Sequence, residues 1–284
     1  MIVGRNSERL GFMAAPPSEN WDEVVAGATE RLRSMLAEYK FARKKKANRR
    51  GPHKFVNVGL SYGGGQQKVQ NIAQGSQHNA KVVAGALVDP AIRRVAGFVD
   101  ATFQQVAPRV YNHYYDTLNT ILEHDRTLVP NFDRNVFAAA TFNLGPEVAT
   151  VPHTDHMNYV SGWCAIVPFG NFNHHRGGHI VLWDLKLVIE FPPGTLIYIP
   201  SALIRHSNTA IGRGETRMSF TQFSAGGLFR WVDCGCQTQA AFEAAGGVLP
   251  EDGRTRWMKG LGRFDRWEDV VARGRAAFGR HKSS

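Results

Sequence analysis

Between residues 20 and 39, apolar side chains return every three or four positions: Trp21, Val24, Val25, Ala28, Leu32, Met35, Leu36 and Tyr39. That spacing puts them on one face of an amphipathic helix and predicts a helix over residues 20–46. Asn20 followed by Glu23 reads as a capping box at its start. Two more helices are predicted over 91–106 and 109–125, broken apart by Pro108. The stretch "NVGLSYGGGQQKVQN" between them and the first helix reads as a loop around its glycine triplet. After about residue 135 helical periodicity stops. Short apolar runs between Gly and Pro replace it near 136–143, 157–168, 179–184, 186–191, 194–200, 203–207 and 215–223, and these read as strands. Helices are expected again near 238–245 and 266–278. The pattern predicts an α+β fold, with a double-stranded β-helix (jelly-roll) core flanked by helices. No repeat or low-complexity linker interrupts it, so a single domain over 1–284 is expected. Its parts are an N-terminal helix and basic segment (1–54), a core (55–235) and a C-terminal helical extension (236–284).

Composition narrows the setting. Apolar residues make up 43% and charged residues 20%, as in an ordinary globular chain. No apolar run is long enough to span a bilayer, and the opening "MIVGRNSERL" is too polar for a signal peptide. Three cysteines do not make a disulfide framework, and an intracellular protein is expected. Cys164 reads as core; Cys234 and Cys236 form a CGC without the second pair that a structural zinc site needs. The net charge of +10 is concentrated. Ten Lys and Arg and no acid occur from Tyr39 to Val88, most densely in "KFARKKKANRRGPHK". Such a block reads as a solvated helix end, a nuclear import signal or a phosphate-binding surface. The last two readings together predict a nuclear location and DNA contact through segment 40–54. No membrane or protein partner is predicted. The glycine triplet lacks the Gly-Lys-Ser/Thr ending of a phosphate loop, which excludes a nucleoside-triphosphate site.

The chemistry concentrates in "VPHTDHMNYV", residues 151–160. On a strand, His153 and Asp155 share a face and reach one ion together, while His156 points away and is predicted not to bind it. The third ligand has four candidates: His174, His175 and His179 in "NFNHHRGGHIV", and His206 further on. His206 lies in "PPGTLIYIPSALIRHSNTAIGRGETRMSF", where Arg217 and Ser219 alternate on the next strand. Arg213 is the rival to Arg217 but sits in a Gly-flanked turn.

The combined pattern is His-x-Asp, about fifty residues, His, about ten residues, Arg-x-Ser. It resembles the Fe(II)/2-oxoglutarate-dependent dioxygenase superfamily. Residues 55–235, with "GLSYGGGQ" upstream and "GWCAIVPFGNFNHHRGGHIVLWDL" downstream, resemble the fungal TET/JBP-like oxygenases, which oxidise the methyl group of modified pyrimidines in DNA. The resemblance implies Fe(II) on His153, Asp155 and His206. Two imidazoles and a carboxylate fill one face of the ion and leave open positions for the cosubstrate and dioxygen. It implies that Arg217 pairs with the distal carboxylate of 2-oxoglutarate and that Ser219 adds a hydrogen bond. Asn143 is expected at the other cosubstrate carboxylate, and Tyr159 along the pocket. A zinc hydrolase is disfavoured because no HExxH occurs, and a cupin because the pair is His-x-Asp, not His-x-His. The expected reaction is C–H hydroxylation, on a DNA base such as 5-methylcytosine or, alternatively, on a small molecule or peptide. A third possibility is a binding module with a decayed site, against which the intact five-residue pattern argues. For a DNA substrate, His174, His175 and Arg176 are expected at the pocket mouth.

Overall fold

The computed structural model describes residues 1–5, 7–42, 50–249 and 251–280. Two short strands, β1 (Ile2–Val3) and β2 (Arg9–Ala14), open the chain. They precede α1 (Trp21–Glu38), β3 (Lys54–Ser61), β4 (Gln70–Asn71) and three consecutive helices. Those helices are α2 (Gln77–Val88), α3 (Pro90–Val106) and α4 (Pro108–His124). Seven strands follow: β5 (Ala139–Leu144), β6 (Cys164–Phe169), β7 (Ile180–Leu182), β8 (Leu187–Ile189), β9 (Leu196–Ile199), β10 (His206–Asn208) and β11 (Met218–Phe223). The chain then turns helical through α5 (Gly226–Asp233), α6 (Gln239–Ala244), α7 (Gly253–Leu261) and α8 (Trp267–Arg280).

The strands form two antiparallel sheets. The major one runs β1-β2-β9-β6-β11-β5-β3-β4 and the minor one β10-β7-β8. α1, α3 and α4 pack on the outer face of the major sheet. Trp21, Ala28, Leu32 and Met35 of α1 meet Phe142, Val167, Leu196 and Phe220 in one core. A smaller core of Ile180, Leu182, Phe191, Ile197 and Ile199 joins the two sheets. The opposite face of the major sheet carries the polar residues of the site, because strand side chains alternate between faces.

Local rules and tertiary packing disagree at several places. α1 ends at Glu38, and Tyr39 is already extended (φ −70°, ψ 124°), so the helix is shorter than the 20–46 prediction. A run of like charges does not support helix propagation. Most of the basic segment, 43–49, lies outside the described residues. Asn20 makes no capping hydrogen bond; its Oδ1 accepts from the Ser18 hydroxyl instead. The start of the stretch expected as a loop, 57–71, belongs instead to strand β3, which pairs with β5 from Lys54↔Leu144 to Gly59↔Ala139. Its apolar Val56, Val58 and Leu60 alternate with Asn57, Gly59 and Ser61 and are buried, but the run leads straight into the glycine triplet, whose loop signal outweighs it. The helix α2, not foreseen, starts at Ser76, whose side chain accepts from the Asn79 N–H. The segment 157–168, read as one strand, is turn up to Trp163 and strand only as β6. α3 and α4 match their predicted spans closely, each opened by a proline in its first turn.

Candidate active site

His153 and Asp155 sit on a loop after β5, not on the strand expected for them. The backbone of His153 forms a two-way bridge with that of His206, with N···O distances of 3.0 and 2.9 Å. The Asp155 amide donates to the Ser201 carbonyl at 2.8 Å. These bonds hold the loop against β10, and β10 is pinned by β7 through His206↔Leu182. Residues about fifty apart in sequence thus share one corner between the sheets.

The side chains converge. His153 Nε2 is 3.7 Å from Asp155 Oδ1, and His206 Nε2 is 4.0 Å from Asp155 Oδ2. The imidazole centroids lie 4.3 Å apart. Each ring is fixed from behind in the same way. Nδ1 of His153 lies 2.8 Å from the Val151 carbonyl, and Nδ1 of His206 lies 2.9 Å from the Ile204 carbonyl. A carbonyl accepts only, so Nδ1 carries the proton and the Nε2 lone pairs face Asp155. That is the outer support metal-ligating imidazoles require. Burial pushes the His153 imidazole down to about 4, with the neighbouring His206 acting in the same direction. Burial likewise lowers His206. Both rings are therefore neutral at physiological pH and available as ligands.

The competing histidines go elsewhere. His179 Nδ1 meets the Thr209 hydroxyl, while His174 and His175 gather around Glu190. His156 is exposed and faces a different cavity.

Next to the triad lies a small cavity of about 50 Å³. Ser219 of β11 pairs with Asn143 of β5, and Asn143 Nδ2 donates to the Ser219 hydroxyl at 3.1 Å. Both line this cavity with Thr221 and Asn208. Arg217 immediately precedes β11, two residues before Ser219, and is 1% exposed. Nη1 donates to the Val148 carbonyl at 2.8 Å, but Nε and Nη2 have no hydrogen-bond partner among the described residues. Burial pushes this guanidinium down to about 10, still charged near neutrality. A buried cation with idle donors is costly unless an anion arrives, and this one fits a carboxylate. Arg213, the rival, is exposed.

Two residues escaped the sequence reading. Arg50 Nη2 lies 2.5 Å from Asp155 Oδ1, which fixes the carboxylate's orientation. His53 is 9% exposed, and hydrogen bonds with Asn143 and the Ala149 backbone offset only part of the burial that lowers its pKa. Both were hidden inside a stretch legible only as a block of positive charge.

A second, open cleft of about 910 Å³ begins beside this site, and Asn158 lines both. One wall is the glycine triplet, where Gly63, Gly64 and Gly65 all have positive φ (135°, 59°, 91°), which side chains disfavour. Another is aromatic: Tyr159 stacks on Phe229 at 4.0 Å, and Tyr62 meets Trp231 edge-on at 4.8 Å. Tyr159 thus lines the wide cleft and not the small cavity; its hydroxyl accepts from Arg263 at 3.0 Å. The C-terminal helices add Arg230, Arg256, Lys259 and Trp257. The loop with His174 and His175 contributes nothing to either cavity.

No protein-family model and no curated protein matches the chain. Among solved structures it is similar to NgTET1 in complex with 5mC DNA, with TM-score 0.54 and 16% identity over 72% of this chain and 69% of that one. It also matches a 2OG-Fe(II) oxygenase family oxidoreductase from Burkholderia pseudomallei, at TM-score 0.39 and 15% identity, covering 69% of this chain and 77% of that one. A Pseudomonas putida prolyl-4-hydroxylase matches at TM-score 0.37 and 16% identity, covering 75% and 91%. The fold shared with NgTET1 is the jelly roll described above.

Proposed function

We propose that this chain, an enzyme of the Fe(II)/2-oxoglutarate dioxygenase superfamily by its fold and its gathered residues, hydroxylates the methyl group of a modified DNA base such as 5-methylcytosine. One observation carries the enzyme class. Two neutral imidazoles, His153 and His206, gather with the Asp155 carboxylate, donor atoms all within 4.8 Å of one another, and the buried Arg217 two residues before the cavity-lining Ser219 has idle donors. Bound Fe(II) would supply the oxidising chemistry, with 2-oxoglutarate and dioxygen consumed.

The protein's own residues do the rest. His153 and His206 present Nε2 because backbone carbonyls hold Nδ1, and Arg50 keeps the Asp155 carboxylate turned toward them. Arg217 receives the distal carboxylate of the cosubstrate through its free Nε and Nη2. Ser219 turns its hydroxyl toward the same group, and Asn143 holds Ser219 in place. The enclosing sheets keep water from the reacting centre.

The substrate reading is supported by the cleft. Its volume suits a nucleotide, its aromatic walls suit a base turned out of a duplex, and its arginines suit phosphate. The likeness to NgTET1, solved with 5mC DNA, supports the same reading. Cations facing the cleft come from α5, from α7 and, with Arg263, from just after α7, so the proposed DNA contact extends beyond segment 40–54.

The test is mass spectrometry of a 5-methylcytosine duplex incubated with protein, Fe(II), 2-oxoglutarate and ascorbate, with His153→Ala as control. Oxidised cytosine made only by the intact protein is the expected result. Succinate without an oxidised base would overturn the DNA reading and leave a hydroxylase of a small molecule or peptide. No succinate in the presence of bound Fe(II) and 2-oxoglutarate would overturn both.

A further inference from the structure

Outside the active site, a second group of metal-ligating side chains lies on the far part of the minor sheet. The loop between β6 and β7 carries His174 and His175, and Glu190 directly follows β8. The pairing Ile180↔Ile189 sets the end of that loop opposite Glu190. His175 Nδ1 is 3.0 Å from Glu190 Oε2, and His174 Nδ1 is 3.5 Å from the same oxygen. The two rings lie 4.0 Å apart at 47°. One donor atom from each of the three falls within 4.8 Å of the others.

The loop is held in this shape. Asn173 Oδ1 accepts from the His175 amide at 3.0 Å, and the Asn173 carbonyl accepts from the amides of Arg176 and Gly177 at 3.0 and 3.1 Å. The Asn173 amide donates to Glu215 Oε1 at 2.9 Å. Adjacent side chains normally diverge; this turn brings both imidazoles to one carboxylate. His174 Nδ1 is shielded from solvent and makes no hydrogen bond of proper geometry. Its nearest polar neighbour in the cluster is Glu190 Oε2 at 3.5 Å, longer than a good hydrogen bond.

We propose that His174, His175 and Glu190 form a second metal site, which binds a divalent transition ion such as Zn²⁺, Cu²⁺ or Ni²⁺. Two imidazole nitrogens and one carboxylate oxygen favour these ions over Mg²⁺ or Ca²⁺, which take oxygen ligands. The outer side is open, with side-chain exposures of 66% for His175 and 54% for Glu190, so water completes the coordination. The cluster lines neither cavity of the active site, and its position implies a clasp. A bound ion would tie the β6–β7 loop to β8, the edge strand of the sheet in which β7 holds β10 and His206. This inference does not depend on the identity of the substrate.

Calorimetric titration of the metal-free full chain with Zn²⁺ tests it. Two equivalents are expected for the unaltered chain, one for His174→Ala/His175→Ala and one for His153→Ala/Asp155→Ala. Glu190→Gln should weaken the second site roughly tenfold or more. Cu²⁺ bound to the His153→Ala/Asp155→Ala protein should show two equatorial nitrogens by electron paramagnetic resonance. Two equivalents retained by His174→Ala/His175→Ala would overturn the proposal. So would a single equivalent in the unaltered chain that disappears with His153 and Asp155, or a copper spectrum with fewer than two nitrogens. The three side chains are partly or largely exposed, so their replacement should leave the circular dichroism unchanged.

Discussion

The small cavity and the wide cleft meet at Asn158 yet are built by opposite means. The small cavity is walled by paired strands. Its polar groups are placed by registers such as Ser219↔Asn143 and by the two-way backbone bridge between His153 and His206. A one-residue slip there would turn every side chain to the other face, so the geometry is strongly specified. The cleft is walled by a glycine loop and by the C-terminal helices. Its outer side chains are exposed, as with Trp257 at 44%, while Phe229 and Trp231 are buried in its floor. On the proposed function, the contrast separates the place of chemistry from the place of selectivity. The strand-built pocket fixes the ligands, and the helix-and-loop cleft can vary without disturbing them.

The sharpest break of this comparison is at the triad. Asp155→Ala should abolish detectable iron binding and lower succinate formation by roughly 100-fold or more, since changes even one shell further out cost 10–100-fold. Iron content and succinate yield measure it. Next comes Arg217→Met, which should raise the KM for 2-oxoglutarate by roughly 30- to 1,000-fold, the loss of a buried charge pair. The fold itself should change by no more than about 1 kcal/mol, because an unpaired buried cation contributes little to stability. Denaturant titration beside the kinetics separates the two effects.

In the cleft the effects should be smaller and confined to the substrate. Replacing Arg230 and Arg256 by Ala should reduce the salt slope of DNA binding by about 1–2. The 2-oxoglutarate KM should stay in place; a shift in it would mean that the two regions are not independent. The smallest effect concerns His113, which packs against the stacked pair Tyr159 and Phe229. Burial, with Arg263 adding to it, pushes its imidazole down to about 4. A depressed histidine binds more protons unfolded than folded between pH 6.5 and 4, so its contribution to stability is present above that window and is lost as pH falls through it. After allowance for partial exposure this is roughly 1–2 kcal/mol. His113→Phe should flatten the fall in denaturation midpoint across that range; an unchanged pH profile would refute the assignment.

Much of the fold was legible because local rules and tertiary packing agreed. α3 and α4 carry strong apolar stripes and opening prolines, and the strands from β5 to β11 are short apolar runs between turn residues. β3 escaped the sequence reading despite the alternation of Val56, Val58 and Leu60, since the glycine triplet just after it carries a stronger loop signal. In the site, Arg50 and His53 lie about a hundred residues before the triad and carry no local signal of their partners.

The sequence by itself determined the chemical inventory: which side chains can bind a metal, their spacing, and the switch from helical to strand periodicity at about residue 135. Ligand chemistry offered four histidines for the third position, and the spacing to Arg217 and Ser219 pointed to His206. The tertiary structure supplies the physical reason, which is the strand that lies beside the His153 loop. That strand is β10, joined to the loop through backbone hydrogen bonds between residues 53 positions apart in the numbering. Only the tertiary structure decided that His174 and His175 face Glu190 rather than the pocket. Those outcomes rest on strand pairing and burial over long separations, which no window of local sequence contains.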